Sequence, residues 1–112
     1  MESIRQNRVA RLLQRQLGDF FLTSSRSLFD QAMITVTHVR MSKDLSVAKV
    51  FVSIFATGDK NAVFAKINTH NREIRYALAH SVKNQLRSVP ELMFYIDDSL
   101  DYIDRIDELL KK

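Results

Sequence analysis

The chain has 112 residues and 46% apolar content, which suits one domain with a buried core and excludes a globally disordered chain. It has no cysteine, which removes disulfides, thiolate nucleophiles and cysteine-based metal sites, and fits a reducing compartment. The formal charge is +4, unevenly spread: residues 97–112 hold six carboxylates against three cations, so residues 1–96 carry a net +7, which points to an anionic partner and to nucleic acid first.

The opening MESIRQNRVARLL is polar and charged, unlike a signal peptide. No apolar run approaches the roughly 20 residues that span a bilayer. The expectation is a soluble cytoplasmic protein. Residues 2–23 read as a helix, with Val9, Leu12, Leu13, Gln16, Leu17, Phe20 and Phe21 on one stripe. Arg8, Arg11 and Arg15 fall together on the opposite face. Thr23-Ser24-Ser25 reads as the start of a polar loop. Arg26 to Gln31 is ambiguous, with Leu28 and Phe29 as candidate anchors to the core.

Two β-rich runs follow. In the first, about Met33 to Met41, the apolar positions switch parity from Ile34 and Val36 to Val39 and Met41, which predicts a bulge or a strand buried partly on both faces. In the second, about Ala48 to Phe55, Ala48, Val50, Val52 and Ile54 alternate with Lys49, Phe51, Ser53 and Phe55, the pattern of a half-buried strand. Ser42-Lys43-Asp44-Leu45-Ser46 between them has the turn formers of a hairpin, with Arg40, Lys43 and Lys49 adding positive charge.

Gly58 and Asp59 then announce a turn and a helix cap. Residues 60–87 keep helical phase through Val63, Ile67, Ile74, Leu78, Val82 and Gln85 or Leu86. The poor helix formers Asn68-Thr69-His70-Asn71 predict a break and two helices. Arg72, Lys83 and Arg87 share a face away from the apolar stripe, with Tyr76 and His80 nearby. Pro90 stops the helix. Glu91 to Ile96 reads as a third strand, with Leu92, Phe94 and Ile96 alternating against Met93 and Tyr95. Ser99 reads as a cap and Leu100 to Leu110 as a short final helix, with Leu100, Ile103, Ile106 or Asp107, and Leu110 on its apolar side. The order α-β-β-α-α-β with a shared apolar face predicts a two-layer α+β sandwich.

Catalytic signatures are sparse. No G-x-S-x-G elbow occurs, and Gly18 and Gly58 are too few for a phosphate loop. His38, His70 and His80 lie in different elements without metal-ligand spacing. The cluster Asp97, Asp98, Asp101 and Asp104 fits the solvated face of a short helix better than a carboxylate site. The expectation is therefore no enzyme, no metal, no cofactor and no small-molecule substrate. Phe51, Phe55, Met93 and Tyr95 are expected on the sheet face opposite the helices, available to stack bases, dock a protein or pack beneath other chain segments.

One ordered set of motifs resembles the ribosome-binding factor A family. Residues 36–53, VTHVRMSKDLSVAKVFVS, are similar to its signature V-T-x-V-x-x-S-x-D-L-x-x-A-x-V-x-V-S. Val89-Pro90-Glu91-Leu92-x-Phe94, Asp97-Asp98-Ser99-Leu100 and Arg105-Ile106-Asp107-x-Leu109-Leu110 resemble its C-terminal block. Ile74-Arg75, Leu86-Arg87 and the opening R-x-x-R-x-x-R-x-L also match. The resemblance covers nearly the whole chain. It implies a KH-like type II domain and a bacterial, non-enzymatic factor, a monomer, that binds the free small (30S) ribosomal subunit. It further implies help in maturing 16S rRNA, notably near its 5′ region and often under cold stress. Where relatives kink the central helix at Ala-x-Gly, this chain has Asn71-Arg72-Glu73, and no G-x-x-G loop is present to clamp single-stranded RNA. The candidate RNA contacts are Arg8, Arg11, Arg15, Arg72, Arg75, Lys83 and Arg87, with Arg40, Lys43 and Lys49 of the hairpin as a further edge. The rival reading is a protein-interaction module that docks through Phe51, Phe55 and Tyr95.

Overall fold

A computed structural model of the chain describes residues 3–98. The elements run α1 (Ile4–Leu28), β1 (Met33–Met41), β2 (Val47–Phe55), α2 (Lys60–Thr69), α3 (Asn71–Val82) and β3 (Glu91–Ile96). This is the expected α-β-β-α-α-β order of a KH-like type II domain. The final helix expected over 100–110 lies outside the described residues.

β2 is the middle strand, antiparallel to β1 and parallel to β3. The parallel pairing requires a crossover, and α2 and α3 supply it. Ile34, Val36, Val39, Met41, Ala48, Val50, Val52, Ile54, Leu92 and Phe94 are buried with Leu13, Leu17 and Phe21 of α1, Ile67 of α2, and Ile74, Leu78 and Val82 of α3. Phe21 is fully buried and meets Phe20, Phe29 and Phe94 with ring centroids 5.6–6.2 Å apart.

The parity switch in β1 is a bulge. Val36 pairs with Val52 and His38 with Phe51, which leaves Thr37 as the extra residue. A bulge frees backbone groups, and here side chains satisfy them. Gln14 Nε2 of α1 donates to the Val36 carbonyl at 3.1 Å, and the Thr37 hydroxyl lies 3.2 Å from the Phe51 carbonyl and 2.7 Å from the Asp97 carboxylate. Gln6 secures the other end of α1: it forms a capping box with Ser3, and its Nε2 donates to the Met41 carbonyl at 3.1 Å.

Two sequence expectations are corrected. The polar loop expected from Thr23 is helix, and α1 continues to Leu28. Its hydroxyls turn inward: Thr23 Oγ1 lies 3.1 Å from the Asp19 and Phe20 carbonyls, and Ser27 Oγ donates to the Ser24 carbonyl. The fully buried Phe29 then ends the helix, before Asp30 and Gln31 turn the chain with φ of 54° and 64°. The second helical stretch breaks at His70 as expected, but α3 stops at Val82 rather than running to residue 87. The Gln85 and Leu86 amides both donate to the Val82 carbonyl, at 2.8 and 2.9 Å, so the chain tightens into a turn well before Pro90.

Candidate nucleic-acid interface

The hairpin turn is built around one carboxylate. Asp44 Oδ1 accepts from the Ser46 hydroxyl at 2.7 Å, the Ser42 hydroxyl at 2.8 Å and the Ser46 amide at 3.1 Å. These donors, Ser46 foremost, hold the Asp44 carboxyl at about 2, below its ordinary 3.8. The Ser42 hydroxyl also accepts from the Val47 amide, and Leu45 sits in the left-handed region at φ 63°. The Ser46 carbonyl takes the Glu91 amide at 2.8 Å, which joins the turn to β3. Lys43 is thus exposed on a turn whose shape is fixed on both sides.

The turn after α3 makes a concavity beside four of the expected cations. Leu86 and Val89 pack against the core, and Arg75 Nη2 donates to the Val89 carbonyl at 2.8 Å. The 86–89 segment is thereby drawn alongside α3. A groove of about 570 Å³ lies between them, lined by Arg72, Arg75, Tyr76, Ala79, Lys83 and Arg87. A second groove of about 390 Å³ shares Leu86, Arg87 and Ser88 with the first. Its other walls include Arg5, Lys43 and the serine-bound Asp44. Arg87 therefore joins the α3 stripe to the hairpin turn and the start of α1. Six cations line these two adjoining grooves, an arrangement able to neutralise neighbouring phosphates.

The other expected cations lie elsewhere. Arg8 and Arg15 are exposed on the crest of α1, and Arg11 borders a separate hollow with Asn7, Gln14 and His38. Arg40 and Lys49 are cross-strand partners on the sheet face turned away from the helices, so the hairpin cations divide between two surfaces. That face also carries the row His38, Phe51 and Tyr95. Phe51 stacks on Tyr95 with centroids 5.4 Å apart at 25°, and His38 lies 5.9 Å from Phe51. Tyr95 and Met93 are exposed, whereas Phe51 and Phe55, expected to be exposed, are half-buried. Among the described residues no cluster of His, Cys, Asp or Glu could hold a metal ion, and no helix is long and apolar enough to cross a membrane.

Sequence reasoning missed Arg5 in this site. Its neighbours Lys43 and Arg87 come from distant segments, and only the docking of α1 along β1 brings them together. Arg75 was expected as a phosphate contact only. The structure gives it a structural task, holding the backbone that carries Arg87.

Topology and groove together define a small basic α+β domain of the KH-like class. The profile of the family Ribosome-binding factor A matches residues 5–110, and the chain belongs to that family. It is 46% identical over 112 residues to ribosome-binding factor A of Cytophaga hutchinsonii, covering all of this chain and 84% of that protein. The fold is similar to the crystal structure of ribosome-binding factor A from Thermus thermophilus, with a TM-score of 0.68 and 26% identity over 81% of this chain and 94% of that one. It is also similar to a homology model of the Thermus thermophilus factor fitted into a cryo-EM map of its complex with the 30S subunit. That match has a TM-score of 0.62 and 31% identity, covering 80% of this chain and 91% of that one. The family is one of ribosome-binding factors and not a known enzyme family.

Proposed function

We propose that this chain is a ribosome assembly factor, a single RNA-binding domain that binds the free small (30S) ribosomal subunit in the cytoplasm and assists processing and maturation of 16S rRNA. The observation that carries the reading is the pair of adjoining grooves, sharing Arg87, that gathers Arg72, Arg75, Lys83, Arg87, Lys43 and Arg5. Membership of a family of ribosome-binding factors supports the same partner.

The mechanism needs no bond chemistry. A surface that binds one rRNA conformation more tightly than another shifts the RNA's folding equilibrium by that difference, tenfold for every 1.4 kcal/mol or so. The cations supply affinity that is independent of sequence and sensitive to salt. The groove's shape supplies the preference between conformers. The rival protein-docking reading draws less support, since Phe51 and Tyr95 already occupy each other's ring faces.

Cosedimentation tests the proposal. The chain is expected to travel with free small subunits at moderate salt and to be released as salt rises. Absence from the small-subunit peak, or association with intact ribosomes alone, contradicts it.

A further inference from the structure

Tyr76 is 78% exposed, although a tyrosine ring usually buries most of its apolar surface. It is not part of the core, which α3 meets through Ile74, Leu78 and Val82. At about 100° per residue, Arg72, Tyr76, Ala79 and Lys83 fall within a narrow stripe on the opposite side of α3. The ring therefore projects from the lining of the basic groove with cations before and after it along the helix. Ala79, one turn later, is too small to cover it.

From this placement we propose that Tyr76 is a base-stacking platform and that the groove takes unpaired rather than duplex RNA. The inference rests on the RNA-binding reading above and adds the ligand's structural class. The spacing supports it. Arg72 and Lys83 are eleven residues apart, about 16 Å along the helix axis, with Tyr76 between them. RNA that engages both cations must pass over the ring. In a duplex the bases along that path are paired and stacked on each other, and an A-form helix presents phosphates and 2′-hydroxyls there instead. An unstacked base in a single strand, loop or bulge can lie flat on the phenol ring while its flanking phosphates meet Arg72 and Lys83. The groove's volume of about 570 Å³ is ample for a base, falling within the roughly 300–1,000 Å³ of pockets that hold small ligands. The platform requires no G-x-x-G loop, since stacking positions the base through its face.

The test compares an oligouridylate carrying one 2-aminopurine with an RNA duplex, using wild type, Tyr76→Ala and Tyr76→Phe. Binding to each RNA is measured across a salt series. Stacking contributes enough that Tyr76→Ala is expected to lose about 5- to 150-fold in affinity for the unpaired RNA. Its salt slope should not change, because no cation is removed, and its duplex affinity should hold. Tyr76→Phe should bind like wild type, and 2-aminopurine emission should be quenched by wild type and Tyr76→Phe but not by Tyr76→Ala. Equal loss on both RNAs, or no loss on either, overturns the inference and leaves the RNA-binding reading standing. Failure of wild type to bind any RNA in a salt-dependent way overturns that reading itself. Thermal melting of Tyr76→Ala is expected to match wild type, as the ring is exposed.

Discussion

Replacing Arg72, Lys83 and Arg87 together with alanine should change the salt dependence of RNA binding by a calculable amount. All three are exposed on the groove, so the substitutions should alter folding stability by no more than about 0.5 kcal/mol each. Arg75 is left in place because its guanidinium also holds Val89. Each phosphate contact on a single strand contributes about 0.7 to the slope of log affinity against log salt. Three lost contacts should flatten the slope by about 2. Between about 50 and 200 mM salt, wild-type affinity should then fall about 20-fold more than that of the variant. Fluorescence anisotropy with a labelled single-stranded rRNA fragment at four or more salt concentrations reads this directly. An unchanged slope in a folded variant removes the α3 groove from the binding surface. Arg8→Ala with Arg15→Ala supplies the comparison: these cations stand outside the groove, and a larger slope change there would relocate the site to the crest of α1.

Other consequences follow from single contacts. Ser46→Ala should raise the Asp44 pKa from about 2 toward 3.8, and by more than Ser42→Ala does, because the Ser46 hydroxyl is the leading cause of the shift, while the residue-46 amide remains in both variants; side-chain NMR titration measures both. Since the folded pKa is depressed, Asp44's support for the hairpin is complete above about 3.8 and is lost as pH falls through about 2. Phe21→Ala should destabilise the fold by about 3–5 kcal/mol in chemical denaturation, as the ring is fully buried among three other phenylalanines. Arg75→Ala should cost about 0.5–1.5 kcal/mol in the same assay, and RNA affinity should fall in step as the Arg87-bearing segment loosens. Arg75→Lys should keep the charge and so the salt slope, but not the full stability, because the shorter side chain does not carry its donor to where Arg75 Nη2 meets the Val89 carbonyl.

The parts of the fold legible in the sequence are those set by local pattern. Alternation along β2 and β3, the parity switch that became the Thr37 bulge, and the break at His70 all follow from side-chain period or from poor helix formers. The errors occurred where local and tertiary preferences compete. Thr23 and the serines after it look like loop residues, yet the Thr23 and Ser27 hydroxyls bond back to the helix, and burial of Phe29 rewards continuing it. Lys83, Asn84 and Gln85 carry no stop signal, yet packing of Leu86 and Val89 against the core bends the chain after Val82. The site shows the same division. Arg72, Lys83 and Arg87 were legible as one helical stripe, although Arg87 reaches it from a turn. That Lys43 and Arg5 join them, and that Arg40 and Lys49 do not, depends on which layer of the sandwich each occupies. Sequence period alone does not specify that.

The central claim is that the α3 groove holds the chain on the small subunit's RNA. Quantitative cosedimentation of the Arg72→Ala, Lys83→Ala, Arg87→Ala variant with purified free small subunits at moderate salt tests it most directly. The account predicts that wild type appears in the small-subunit peak and that the folded variant stays at the top of the gradient. Wild-type-like association of that variant would contradict it.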